Sequence, residues 1–149
     1  MVAIGSKGFR ISPGNAAGHI FGYAVGVDLT RRDLQEEAKE KRRPWDWSKG
    51  FDQSALCGPI APAATTGHQS AGRIWLAVNG SVRQDADLSD MIWQVPDIVA
   101  FCSQAVVLEP GDLIYTGTPA GVGALNVGDV VTGGIDEVGT VEAKIAEAS

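Results

Sequence analysis

The chain has 149 residues, 44% of them apolar and 20% charged, and its 12 basic and 18 acidic side chains give a net charge of −6. That length suits one domain with its own core, and the composition excludes collagen, coiled-coil and disordered chains. No apolar run reaches the roughly 20 residues of a membrane span, and so acidic a chain lacks the cations with which a general nucleic-acid binder neutralises phosphates.

Val2, Ala3 and Ile4 read as the end of a strand, turned by Gly5-Ser6-Lys7-Gly8. Ser12-Pro13, followed by Ala16, Ala17 and Ile20, reads as an N-cap, a first-turn proline and a short helix. Phe21 to Leu29 is a run of β-favouring residues and predicts one buried strand. Thr30 is placed to cap a second helix, with Asp33 three residues on in a variant of the capping box. Residues 31–42 are polar nearly all round, and Pro44 stops them. Residues 44–56 show no period and read as a loop. Residues 59–72 read as a connection of proline, alanine, threonine and glycine.

Ile74 to Val78 and Val82 flank Asn79-Gly80, a hairpin signal because a type I′ turn needs positive φ twice. Pro96 to Gln104 predicts a helix with Ile98, Val99 and Cys102 inward. Glu109 to Asp112 turns into a strand at Leu113 to Thr116, followed by the loop Gly117 to Gly123. Val127-Gly128-Asp129 turns into Val130-Val131, and Gly139 precedes a last strand, Val141 to Ile145. About seven strands and three short helices result, without the alternating order of a doubly wound sheet. The 19 glycines fit many turns and short strands. Cys57 and Cys102 sit among small or apolar neighbours and read as two buried free thiols. No signal peptide is visible, so the expected compartment is the cytoplasm.

Three constellations could carry chemistry. The first is Asp28-Leu29-Thr30-Arg31-Arg32-Asp33-Leu34-Gln35, where a carboxylate ends an apolar strand. Arg32 and Gln35 share one face of the following helix. This is either a metal-ligand carboxylate beside anion-binding groups or a capped helix with a solvated face. The second is Trp45 to Phe51, where Lys49 lies among aromatics and a glycine. It is either a partly desolvated partner for a carboxylate or enolate or part of an amphipathic loop. The third is GTPAGVG at 117–123. Its spacing is not that of a nucleotide loop, and Pro119 removes a donor. A tight loop presenting backbone N–H groups and the Thr118 hydroxyl to a small ligand fits better. His19 and His68 have neither a nucleophile with supporting geometry nearby nor zinc-ligand spacing.

Taken in order, several segments resemble the fumarylacetoacetate hydrolase superfamily, specifically its C-terminal catalytic body. They are Gly22-Tyr23, VDLTRRDLQ at 27–35, Lys49-Gly50-Phe51, VNG at 78–80, Arg83-Gln84, Asp90-Met91-Ile92, PGDLIYTGTPAGVG at 110–123 and Gly128-Asp129. The resemblance runs from residue 1 to about residue 146. Within it the chain is most similar to the fumarylpyruvate hydrolase subgroup of the gentisate branch of aromatic degradation, through GYAVGVDLTRRDLQ, Arg43-Pro44-Trp45 and DMIWQVP at 90–96.

The resemblance implies a mainly β (α+β) fold: a mixed β-sandwich roll with a few short helices, assembled as a homodimer. It implies a divalent cofactor, Mg²⁺ or alternatively Mn²⁺ or Ca²⁺, with Asp28 as a metal ligand. It implies that Arg32 and Gln35 line the substrate pocket, that Lys49 contacts the substrate as an electrophilic group, and that Thr118 contacts a substrate carboxylate or carbonyl. In that pattern two further metal ligands come from a Glu-x-Glu pair just before the strand MVAIG, and a His/Glu lid pair that activates water also lies upstream. The chain is therefore expected to be a single catalytic domain, residues 1–149, lacking its N-terminal part. A shortened chain, a separately encoded N-terminal part, or a body that kept the fold and lost the chemistry would each account for this.

The activity so implied is hydrolysis of a C–C bond in an acylpyruvate, fumarylpyruvate giving fumarate and pyruvate. A hard cation chelating the 2-oxo-carboxylate end would stabilise the enolate leaving group. Oxaloacetate decarboxylation, or hydration or isomerisation of a 2-oxo acid, is the alternative within the superfamily. A catalytically silent β-roll that dimerises or binds a ligand is the alternative of another class. The expected partners are a small 2-oxo acid and a second copy of the chain, with no nucleic acid and no membrane.

Overall fold

A computed structural model describes residues 1–147, so the last two residues of the expected domain lie outside the described residues. In chain order the elements are β1 (Val2–Ile4), a 3-10 turn (Pro13–His19), β2 (Ile20–Tyr23) and β3 (Gly26–Asp28). Next come α1 (Arg32–Glu40), the one-turn α2 (Asp46–Lys49), β4 (Ala55–Cys57), β5 (Ala61–Pro62) and α3 (Ala63–Thr66). Then follow β6 (Arg73–Val78), β7 (Ser81–Asp87), a 3-10 turn (Leu88–Asp90), α4 (Val95–Ala105), β8 (Leu113–Ile114), β9 (Val130–Ile135) and β10 (Gly139–Lys144).

These strands form two four-stranded sheets, ordered β5-β2-β1-β8 and β10-β9-β6-β7, and the ribbon β3-β4. Their pairings are antiparallel. The result is the mainly β roll with short helices that the resemblance implies. Among the described residues no helix is long and apolar enough to cross a membrane.

The core lies where the first sheet meets α4 and the end of β9. Val2 and Ile4 of β1, Ile11, Ala16, Tyr23, Val25, Val99, Leu108, Ile135 and Val138 form one buried cluster. Val99 is fully buried on the face of α4 turned to the 3-10 turn at 13–19. Ser103, one helical turn on, is also fully buried. Its hydroxyl accepts from Ile11 N at 2.9 Å and donates to Ala100 O at 2.7 Å. A polar group this deep is tolerated only because both roles are filled. The hairpin forms as its sequence predicts: Asn79 and Gly80 take φ of 51° and 78°, as a type I′ turn requires.

Several expectations are corrected. The run Phe21 to Leu29 is not one buried strand. After Tyr23 the chain leaves the first sheet, and β3 pairs with β4 instead. Phe21 is 53% exposed. A switch of sheet partner leaves the alternation of side chains unchanged, so periodicity does not reveal it. Thr30 caps nothing: Arg31 occupies the N-cap position of α1 without a side-chain bond, and the Thr30 hydroxyl is buried without a partner. The expected loop 44–56 contains α2 and the start of β4, and the connection 59–72 contains β5 and α3. The strand predicted at 113–116 is only Leu113–Ile114. The described residues hold ten strands rather than seven, because two- and three-residue strands carry too little pattern to be read. Cys57 and Cys102 are free, as expected, but Cys57 is exposed and Cys102 half-buried.

The tips of the second sheet are tied by carboxylates at its surface. Asp129 accepts from Asn126 N at 2.7 Å and from Asn79 Nδ2 at 2.8 Å. These bonds hold its carboxyl below the usual range. Asp87 is held low by the hydroxyl and backbone N–H of Ser89, and Asp85 by the Arg73 guanidinium. A carboxyl whose folded pKa is depressed contributes stability above its unfolded pKa and loses it as pH falls through the folded value. We therefore predict a urea midpoint that is flat from about pH 7 to about pH 5 and drops below about pH 4. Unfolding curves across that range test it, and a midpoint that holds down to about pH 3 would refute it.

Candidate active site

β3 carries Asp28 to the edge of the roll. The strand is short, pairing Gly26, Val27 and Asp28 with Cys57, Leu56 and Ala55. Two backbone bonds extend the junction beyond it: Leu29 N donates to Ser54 O at 2.8 Å, and Arg31 N donates to Ser48 O at 3.0 Å. The second bond locks the start of α1 onto α2. Ser48 is buried, and its hydroxyl donates to Trp45 O at 2.6 Å. The next residue, Lys49, is thereby aimed at β3. Its Nζ lies 2.6 Å from Asp28 Oδ2, with the two side chains 35% and 51% exposed. The Arg31 guanidinium stacks 4.3 Å above the Phe51 ring, a cation–π contact that steadies the same corner.

At the first residue of α1, Arg32 Nη1 donates to Gln35 Oε1 at 2.8 Å. Gln35 is buried although its helix is otherwise polar. So the structure brings Asp28 to Lys49, and Arg32 to Gln35, at one junction. The buried, unpartnered Thr30 hydroxyl sits between them in sequence.

Thr118 lies elsewhere, on the wall of a cavity of about 440 Å³. That cavity is lined largely by apolar groups, including Ile74, Met91, Trp93 and Ile98, together with Tyr23, Gly26 and Tyr115. Asp28, Arg32, Gln35 and Lys49 are not part of this lining. The link between the two places is β3 itself: Gly26 lines the cavity and Asp28 ends the strand two residues later. Tyr115 bridges them from the other side. Its ring faces the cavity, and its hydroxyl donates to Leu56 O at 2.8 Å on β4. Burial pushes the Tyr115 phenol above its ordinary range, and nearby Cys57 and Asp28 push the same way, so it remains a neutral donor.

Tyr115 lies inside the motif at 110–123, but that motif gives it no role of its own. Its only local signal is its place two residues before Gly117 in the segment LIYTGTP. Likewise the Tyr23 hydroxyl lies 2.6 Å from His68 Nδ1, a pairing across 45 residues that no local pattern announces.

As a metal centre the site is incomplete on its own. Among the described residues no group of three or more His, Cys, Asp or Glu side chains could hold an ion. Asp28 is a single carboxylate already paired with an ammonium, whereas a hard divalent ion takes at least six oxygen ligands. What this chain supplies unaided is one carboxylate, two cations, a buried amide and a hydroxyl. That set has the charge and the donors that an oxygen-rich anion would require.

The chain is similar to several known proteins. It is 42% identical over 148 residues to the fumarylpyruvate hydrolase of a Ralstonia species, covering 99% of this chain and 77% of that one. It is 40% identical over 144 residues to the mitochondrial oxaloacetate tautomerase of Mus musculus, covering 97% of this chain and 65% of that one. The crystal structure of fumarylpyruvate hydrolase from Pseudomonas aeruginosa in complex with Mn²⁺ and pyruvate superposes with a TM-score of 0.96 at 44% identity. The chain spans 63% of that structure's length and is itself covered over 99%. The family described as fumarylacetoacetate (FAA) hydrolase C-terminal matches residues 1–146. A match across nearly every described residue, joined to the roll and the ordered motifs it carries, means that the chain belongs to the fumarylacetoacetate hydrolase C-terminal family.

Proposed function

We propose that this chain forms a single catalytic domain of an acylpyruvate hydrolase, with fumarylpyruvate as substrate and fumarate and pyruvate as products, acting in gentisate catabolism. The observation that carries the reading is the Lys49 ammonium held 2.6 Å from Asp28 at the junction that also presents Arg32 and Gln35. The similarity to two fumarylpyruvate hydrolases, one of them solved with pyruvate, supports it.

In the reaction a water adds to the carbonyl distal to the 2-oxo acid. The C–C bond between that carbonyl and the methylene then breaks, and its electron pair passes into the enolate of pyruvate. A proton returned to carbon completes the pyruvate. The chain's own part is to bind the 2-oxo acid and to stabilise the enolate. Lys49 offers a positive charge to the enolate oxygen. Arg32 offers a planar pair of donors to the carboxylate, and buried Gln35 holds it in place. Thr118 offers a hydroxyl from the cavity side. The cavity beside Tyr115 has room for an acyl arm. Asp28 offers one oxygen to a divalent ion such as Mn²⁺ or Mg²⁺. Such an ion would supply chelation of the 2-oxo acid, but the described residues do not complete its shell.

The test is to follow the loss of the fumarylpyruvate enol absorbance with Mn²⁺ present, and to identify fumarate and pyruvate in equal amounts. Products in any other ratio, or no consumption, would reject the reading. The second reading is turnover of oxaloacetate, favoured by the 40% identity to the mouse tautomerase. Its mark is enol–keto exchange of oxaloacetate outpacing fumarylpyruvate hydrolysis under the same conditions.

A further inference from the structure

Gln84 stands on β7, buried and distant in sequence from every residue so far given a role. Its side chain reaches across to the loop that follows β8. Nε2 lies 2.8 Å from Thr118 Oγ1 and 2.7 Å from Pro119 O. A backbone carbonyl can only accept, so the contact with Pro119 fixes which end of the amide is the nitrogen. Both amide hydrogens are then assigned, one to Pro119 O and the other to Thr118 Oγ1.

That assignment fixes the polarity of the Thr118 hydroxyl. The oxygen accepts from Gln84, so its own hydrogen is left free to donate, and Thr118 is exposed where it borders the cavity. The loop is pressed onto the same strand a residue earlier. A Cβ at Gly121 would lie 2.0 Å from Arg83 O, and Gly121 has φ of 102°, a region that side chains rarely adopt. The loop therefore rests on β7 in one register, with Gln84 tethering it at Thr118 and Pro119.

We propose that Gln84 is a positioning residue that holds the Thr118 hydroxyl as an obligate donor to an anionic oxygen of the 2-oxo acid substrate. This rests on the reading of Thr118 as a substrate contact. Gln84 itself touches no substrate. It acts by holding the Thr118 oxygen as an acceptor, which leaves the hydroxyl hydrogen for the substrate.

The experiment uses the full-length protein with Mn²⁺. It compares Gln84→Met, which keeps the length and removes both donors, with Thr118→Val, Thr118→Ser and the Gln84→Met/Thr118→Val double variant. Gln84→Glu serves as the second position-84 variant should the methionine fail to fold. Steady-state kinetics on fumarylpyruvate and calorimetric titration with pyruvate are both read. We expect Gln84→Met and Thr118→Val each to raise KM about tenfold with kcat within about threefold, as for lost uniform binding. Pyruvate affinity should fall in parallel, and Thr118→Ser should stay near the parent. The double variant should be no worse than either single one, because both remove the same bond. A wild-type KM in Gln84→Met beside a raised KM in Thr118→Val would overturn this inference and leave the site reading standing. Additive losses in the double variant would overturn it too. A wild-type KM and pyruvate affinity in Thr118→Val would overturn the contact and this inference together. The pyruvate titration decides between these outcomes even if fumarylpyruvate is not the substrate.

Discussion

Replacing Lys49 by methionine is expected to lower kcat/KM for fumarylpyruvate about a thousandfold, the scale of a lost donor at a developing oxyanion. The reason lies in how the lysine is held. Buried Ser48 fixes α2 through Trp45 O and through the backbone bond from Arg31, so the ammonium is delivered to one place. Half-buried, it is stripped of part of its water and would meet a nascent enolate at low reorganisation cost. Lys49→Arg keeps the charge but not its compact shape, and should recover only part of the loss. Stability should hardly change, since an ion pair this exposed contributes about 0–1 kcal/mol. A thermal melt therefore separates lost chemistry from lost fold. A methionine variant within threefold of the parent, at an unchanged melting point, would remove Lys49 from the mechanism.

Asp28→Asn is expected to have the next largest effect, and on two readouts. The change is nearly isosteric, so β3 should keep its pairing with β4. Fumarylpyruvate turnover should fall at least about a hundredfold. Mn²⁺ affinity should fall by no less than the roughly 10–100-fold that even outer partners of a metal site contribute. The second readout decides between two roles. As a ligand, Asp28 lends an oxygen to the ion. As a counter-ion, it only neutralises Lys49 across 2.6 Å. Calorimetric titration with Mn²⁺, without substrate, tells them apart. An unchanged Mn²⁺ affinity would leave Asp28 as the partner of Lys49 and nothing more.

Much of the fold was legible because its signals are local. Asn79-Gly80 announces the hairpin, since only a turn with two positive φ values uses that pair so well. Val95-Pro96 opens α4 with a first-turn proline, and Val99 follows on the buried face. Arg32 and Gln35 were placed on one helical face by their spacing alone, and they do bond. The missed strands have one source. β4, β5 and β8 are two or three residues long, and their identity as strands comes from the partner opposite, not from their own side chains. The Thr30 misreading is similar: the residue type suits a cap, but Arg31 keeps an extended backbone, takes the N-cap position and bonds through its N–H to Ser48 O on α2, so α1 starts a residue later.

By itself the sequence determined the chemical inventory: an acidic chain with glycine-rich turns, and the ordered motifs that carry Asp28, Arg32, Gln35, Lys49 and Thr118. It also contained the turn and helix signals, because those depend on φ preferences and spacing within a few residues. Only the tertiary structure decided what meets what. It set Lys49 against Asp28 across 21 residues, hung the Thr118 loop on Gln84 across 34, and left the cavity wall apart from the charged junction. The physical reason is that such contacts are fixed by sheet order and by the packing of distant elements. Their energy comes from burial and directed hydrogen bonds formed only once the chain has closed.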